Sequence, residues 1–139
     1  MPERQRLTGP EAEALVRAAT EARERAVAPY SGFHVGAALL ASDGTVFKGC
    51  NVESATYGLT CCAERTAIFK ALSEGARSFV AVAVVTGAEA PTPPCGACRQ
   101  VLWDQCREIE VIMATTSGAF ERRMLSSLYP RPFELEVPR

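Results

Sequence analysis

Val80-Ala-Val-Ala-Val-Val85 is the stretch on which the fold turns. It is a continuous apolar run, the pattern of a strand covered on both faces. Even with Phe79 and Thr86 added it is far too short to cross a bilayer. Working outward, residues 63–73 read as a helix stopped by Gly75. Downstream, a loop stiffened by Pro91, Pro93 and Pro94 leads to a helix over 97–106. Residues 110–115 read as another strand, and 121–128 as a short last helix. Toward the N-terminus, 33–40 and 45–51 flank the turn Ala41-Ser-Asp-Gly44 and form a hairpin. Thr8-Gly-Pro-Glu11 has capping-box spacing. It opens a helix with Leu15, Ala19, Ala22 and Ala26 on one face, ending before Pro29. Strands alternating with helices late in the chain favour parallel pairing there, and the hairpin adds antiparallel strands. The expected fold class is α/β: a mixed sheet between helices, in a single domain over residues 1–139.

The chain of 139 residues is long enough to bury a core without disulfide staples. Its formal net charge is -1, and its basic residues are scattered, with small groups at Arg23/Arg25 and Arg122/Arg123. No basic tract could follow a phosphate backbone, so a nucleic-acid partner is not expected. The first residues lack the apolar segment of a secretory signal, which suggests a cytoplasmic setting with reduced thiols. In that setting the clustering of Cys61, Cys62, Cys95 and Cys98 suggests metal binding rather than disulfides. The isolated Cys50 and Cys106 read as small core hydrophobes.

Two segments carry the chemistry. Cys61-Cys-Ala-Glu-Arg65 opens one expected helix and Pro94-Cys-Gly-Ala-Cys98 opens another. Helix N-termini present unpaired N–H groups and a positive dipole end, both of which favour thiolate, the form that binds metal. The only histidine, His34, lies on an expected strand away from both clusters. The expected site is therefore three sulfurs with an open fourth position, and an open position marks catalytic zinc. Spacing leaves the choice between Cys61 and Cys62 open. On a regular helix Cys61 and Glu64 share a face. Cys62 and Glu64 diverge by about half a turn, unless Cys62 is the non-helical cap. Glu64 is suited to proton transfer beside a metal-activated water; alone, it would be an ordinary first-turn carboxylate.

Four motifs in order resemble the small homotetrameric cytidine deaminase family: Tyr30-Ser-Gly-Phe-His-Val-Gly-Ala37, Asn51-Val-Glu-Ser-Ala-Thr-Tyr57, Cys62-Ala-Glu-Arg65 and Pro94-Cys-Gly-Ala-Cys-Arg-Gln100. The match spans residues 30–100, and more weakly the whole chain. The resemblance implies a three-layer α/β/α fold with a mixed five-stranded sheet. It implies zinc-dependent hydrolytic deamination of cytidine and 2′-deoxycytidine in pyrimidine salvage. Cys62, Cys95 and Cys98 would hold one zinc per chain, and Glu64 would be the proton shuttle. Asn51 and Glu53 would bind the sugar hydroxyls, and Phe33 would pack on the pyrimidine. The backbone around Ala63 would read the base edge, and Arg65 would donate to cysteine sulfurs. Phe133 would reach a neighbouring subunit's site in a homotetramer with shared active sites. Three thiolates and a divalent ion sum to -1, so Arg65 and the helix N-termini are the natural groups to draw density from sulfur.

The sequence departs from the family pattern at Ser54 and Thr56, around Trp103-Asp104, and in the tail Leu128-Tyr-Pro-Arg-Pro-Phe133. Two rival readings are a structural zinc module using all four clustered cysteines, and deamination of another cytosine-bearing substrate. Adjacent cysteines fit a structural tetrahedral site poorly. The module also leaves Glu64, Asn51 and Glu53 without a purpose.

Overall fold

The structure is a computed structural model that describes residues 6–135. Helix α1, Gly9–Arg23, begins at the Thr8 cap, where the Thr8 hydroxyl and the Glu11 carboxylate exchange bonds with each other's backbone N–H. The hairpin follows as β1, Val35–Ala41, and β2, Val46–Cys50. Its turn closes through Asp43, which accepts from the Thr45 N–H, and Gly44, whose φ of +94° suits a residue without Cβ. Then come α2, Ala63–Ser73; β3, Phe79–Thr86; α3, Gly96–Cys106; and β4, Glu110–Thr115. The chain then forms β5, Phe120–Met124, and a one-turn α4, Leu125–Leu128.

The sheet order is β2-β1-β3-β4-β5. Only β3 and β4 are parallel; the other pairs are antiparallel. The mixed sheet is as expected, and β3 is buried on both faces from Ala81 to Thr86. Ala12, Leu15 and Ala19 of α1 pack on Ala38, Ala81, Ala83 and Val85. The opposite face, with Leu39, Val82, Val111 and Met113, is covered by α2, α3 and α4 through Ala67, Ile68, Leu102 and Leu125. The helical layers approach closely because the sheet offers no side chain where they cross. A Cβ on Gly36 would lie 2.0 Å from the Ala19 carbonyl oxygen, and one on Gly49 would lie 2.5 Å from the Ala67 nitrogen. Gly49 thus fixes how deeply the first turns of α2 sit on β2.

Two elements differ from expectation. Helix α1 ends at Arg23 and leaves Ala26 outside it, because the Val27 N–H and carbonyl pair with the Asn51 carbonyl and the Glu53 N–H. Residues 121–128 are not one helix: 120–124 form the edge strand β5, and only 125–128 are helical. Glu121-Arg-Arg-Met favours helix locally, but tertiary pairing overrides it. β4 has an open edge, and Gly118, at φ +103°, makes the turn that returns the chain along it. The return brings Arg122 to Glu110, a carboxylate with no exposed surface. Arg122 Nη2 donates to Glu110 Oε1 at 2.9 Å and to the Leu7 carbonyl at 2.6 Å. The Leu7 N–H donates to the same Glu110 oxygen at 3.0 Å. Leaving such a buried charge unpaired costs about 3–5 kcal/mol, which explains why the pairing decides the local structure.

Candidate active site

Two helix N-termini meet beside the C-terminal end of β3. Cys62 is the N-cap of α2, with φ -70° and ψ 156°, and Cys95 is the N-cap of α3, with φ -66° and ψ 168°. Because Cys62 is extended rather than helical, regular helix geometry does not separate it from Glu64. Cys98 follows in the first turn of α3. The sulfurs of Cys62, Cys95 and Cys98 all lie within 4.8 Å of one another. Cys62 and Cys95 are 3.8 Å apart, and Cys95 and Cys98 are 3.5 Å apart. A tetrahedral ion with Zn–S bonds of about 2.3 Å needs sulfurs roughly 3.8 Å apart, so this donor set fits zinc. Cys61 stays outside the cluster. Its backbone bridges Val52, and its sulfur accepts from the Thr66 hydroxyl at 3.6 Å.

The electrostatics suit a thiolate site. The Cys62 thiol is pulled down to about 5, first by the hydrogen bond it shares with Cys98 and then by Arg65. The same bond, with burial, pushes the Cys98 thiol up. Arg65 Nη2 lies 3.3 Å from the Cys62 sulfur and 3.4 Å from the Thr60 carbonyl. Glu64 is 5% exposed. Burial above all, with the charge on Cys62 adding to it, pushes its carboxyl up to about 7. A carboxyl in that range can both take and give a proton near neutrality.

A cavity of about 190 Å³ opens over this cluster, lined by Phe33, Asn51, Cys62, Ala63, Glu64 and Cys95 among others. Residue types alone did not flag the remaining wall of Val35, Thr60, Val84, Thr86, Thr92 and Pro93. The one available signal was Thr86, the polar end of an apolar strand. A roomier groove of about 530 Å³ lies between α1 and α2 at the β2 edge. It contains neither Glu64 nor the sulfur cluster. Its charged rim is partly self-compensated, with Lys48 paired to Glu21 at 3.2 Å.

Among solved structures, a cytidine deaminase from Burkholderia pseudomallei superposes with a TM-score of 0.86 at 48% identity, covering 91% of this chain and all of the other. The family model described as the cytidine and deoxycytidylate deaminase zinc-binding region matches residues 10–115. The chain belongs to the cytidine deaminase family. A cytidine deaminase of Halalkalibacterium halodurans is 51% identical over 88% of this chain and 93% of its own length. One of Mycobacterium tuberculosis is 50% identical over 87% and 89%. The cysteine cluster is consistent with the zinc of a cytidine deaminase.

Within this deaminase fold the other expected site residues are held in distinct ways. Asn51 is buried and clamps the segment that carries Phe33. Its Oδ1 accepts from the Val35 N–H at 2.9 Å, and its Nδ2 donates to the Phe33 carbonyl at 2.8 Å. One amide hydrogen and one lone pair remain for a ligand. Glu53 accepts from the Tyr30 and Ser31 N–H groups at 3.0 and 3.1 Å, and from the Ser31 hydroxyl. A carboxylate has about four acceptor sites, so one stays free. Phe33 is partly exposed at the cavity. Phe133 is 66% exposed and does not line its own chain's cavity. Gln100 Nε2 holds the Phe133 carbonyl at 2.9 Å, and Trp103 Nε1 holds Glu134 at 2.9 Å.

Proposed function

We propose that this chain, as one domain over residues 1–139, hydrolyses cytidine and 2′-deoxycytidine to uridine and 2′-deoxyuridine, releasing ammonia. The observation that carries the reading is the three-sulfur cluster, whose Cys62 and Cys95 line one cavity with a buried carboxyl poised near neutrality. Cys62, Cys95 and Cys98 would hold zinc, which when bound supplies Lewis-acid activation of the attacking water. Glu64 carries protons: it takes one from that water and gives it to N3 as the water oxygen bonds to C4, then takes the remaining hydroxyl proton and gives it to the amino group as the C4–N bond breaks and the C4 carbonyl forms. The N–H groups at the start of α2, around Ala63, face the base edge because the first turn has no intrahelical acceptor for them. Phe33 covers the pyrimidine ring. Asn51 and Glu53 use their remaining hydrogen-bonding capacity on the sugar hydroxyls. Arg65 keeps density away from the Cys62 sulfur. A structural zinc module is disfavoured because Cys61 stands outside the cluster.

An ultraviolet deamination assay across nucleosides and free base tests the substrate. Cytidine and 2′-deoxycytidine are expected to turn over, with kcat/KM for cytosine at least about tenfold lower. A site that pairs sugar hydroxyls is penalised when they are missing. Equal kcat/KM for cytosine and cytidine would show that the sugar is not read.

The assembly reading is a homotetramer with shared sites, acting on free nucleosides in the cytoplasm without a nucleic-acid partner. The outward-facing Phe133 supports it, since that ring is anchored through its backbone on α3 yet covers nothing in its own chain's cavity. Among the described residues no helix is long and apolar enough to cross a membrane. The six cysteines are all free. Truncation before Tyr129 is expected to lower activity and loosen assembly together. Mixing that chain with a Glu64→Gln chain should restore part of the activity, since a mixed oligomer joins one intact tail to one intact Glu64. Sedimentation of a fully active monomer at assay concentration would refute the shared site.

A further inference from the structure

Of the three clustered cysteines, Cys95 is the least held by packing: Cys98 is buried, Cys62 is half-buried and Cys95 is exposed. The loop that presents it is also short of backbone fastenings. Pro91, Pro93 and Pro94 have no N–H to donate, and residues 87–94 take part in no backbone–backbone hydrogen bond among those described. Two side chains supply fastenings: the Thr86 hydroxyl accepts the Ala88 N–H at 3.2 Å where the loop begins, and Arg99 holds the end that carries Cys95. Arg99 Nε donates to the Pro94 carbonyl at 2.8 Å, immediately before Cys95. The same guanidinium, through Nη1, donates to the Leu128 carbonyl at 2.7 Å. That carbonyl ends α4, where no intrahelical donor is available. α4 is itself fixed in the core, with Leu125 fully buried and its N–H donating to the Ile109 carbonyl at 2.9 Å.

We infer that Arg99 is a positioning residue for the metal site, tying the proline-rich loop that carries Cys95 to the end of α4 and so setting where the Cys95 sulfur stands. The inference rests on the reading that Cys62, Cys95 and Cys98 hold zinc. The planar guanidinium fork spans two carbonyls at once, whereas an ammonium is a single point charge on a flexible stem. Groups behind metal ligands typically carry about 10- to 100-fold of metal affinity.

The test is zinc release from the loaded full-length chain to a chromogenic chelator, alongside thermal melting. Arg99→Met is expected to release zinc at least about tenfold faster than the parent at a temperature where both are folded. Arg99→Lys should fall between them. Ile112→Ala, which opens the core under α1 on the far face of the sheet, should melt lower yet hold zinc like the parent. Parent-like zinc retention in folded Arg99→Met overturns the inference, as does parent-like retention in Arg99→Lys should Arg99→Met not fold. Zinc loss from Ile112→Ala equal to that from Arg99→Met also overturns it, since general loosening would then account for the effect. A parent chain that takes up no stoichiometric zinc overturns the metal reading itself, and the inference with it.

Discussion

Glu64→Gln is expected to lower kcat by about 10²- to 10⁴-fold while leaving fold and zinc content intact, the range for a lost general acid–base. The size follows from the side chain's place. Glu64 is buried at the wall of the cavity that Cys62 and Cys95 also line. Its carboxyl sits near 7 chiefly because burial disfavours the charged form. Glutamine keeps the shape and can hydrogen-bond in the same place, but it cannot accept a proton and return it. The substrate contacts proposed for Phe33, Asn51 and Glu53 are untouched by the change, so KM should move far less than kcat. Steady-state kinetics on a zinc-replete sample, with metal measured by elemental analysis, give the answer. Near-parental kcat in that sample would remove Glu64 from the chemistry.

Much of this architecture is legible because local pattern and tertiary environment agree. The apolar run of β3 has one outcome when both faces are covered. The boundaries of α2 are written in Ala63 and Gly75, and the start of α1 in the Thr8 cap and Glu11; the end of α1 is not, since Val27 is drawn off by backbone pairing with residues 51 and 53. The residues around β5 show where such reading stops. Arg122 and Glu110 are twelve positions apart, and nothing in either neighbourhood announces that one will be buried and the other will reach it. Composition near Arg122 favours helix, so the strand is decided by a long-range pair. Gly36 and Gly49 are similar cases. Each is a strand glycine whose value lies in the helix that crosses it, and the crossing belongs to the fold and not to the segment.

The site divides along the same line. The cysteines and Glu64 are legible because metal and proton chemistry need particular residue types at short spacing. The walls at Val84, Thr86 and Pro93 are ordinary residues given a purpose only by where β3 and the loop end. Asn51 is an intermediate case. The structure spends half of its amide on the backbone of Phe33 and Val35, so the residue builds the cavity as well as lining it. Arg99 is legible only as a motif letter after Cys98. Its two carbonyl partners lie five residues before it and twenty-nine after it.

The pair of adjacent cysteines offers the sharpest separation of alternatives. Cys62→Ala, Cys95→Ala and Cys98→Ala are each expected to lose essentially all zinc and all turnover, while Cys61→Ala keeps both. The Cys95 sulfur stands near the edge length of a zinc tetrahedron from both Cys62 and Cys98, and all three lie within 4.8 Å of one another. Removing one leaves two thiolates, too few to hold an ion that catalytic sites bind with three protein ligands. Cys61 faces elsewhere: its sulfur is engaged by Thr66, and its backbone exchanges two hydrogen bonds with Val52 that an alanine would keep. Its substitution should therefore cost only the packing of one half-buried sulfur, about 1 kcal/mol. Elemental analysis of the four proteins, purified side by side, decides between them. Zinc lost from Cys61→Ala and retained in Cys62→Ala would place the first ligand one residue earlier. Glu64 would then share a helix face with it, and the extended cap at Cys62 would need a different explanation.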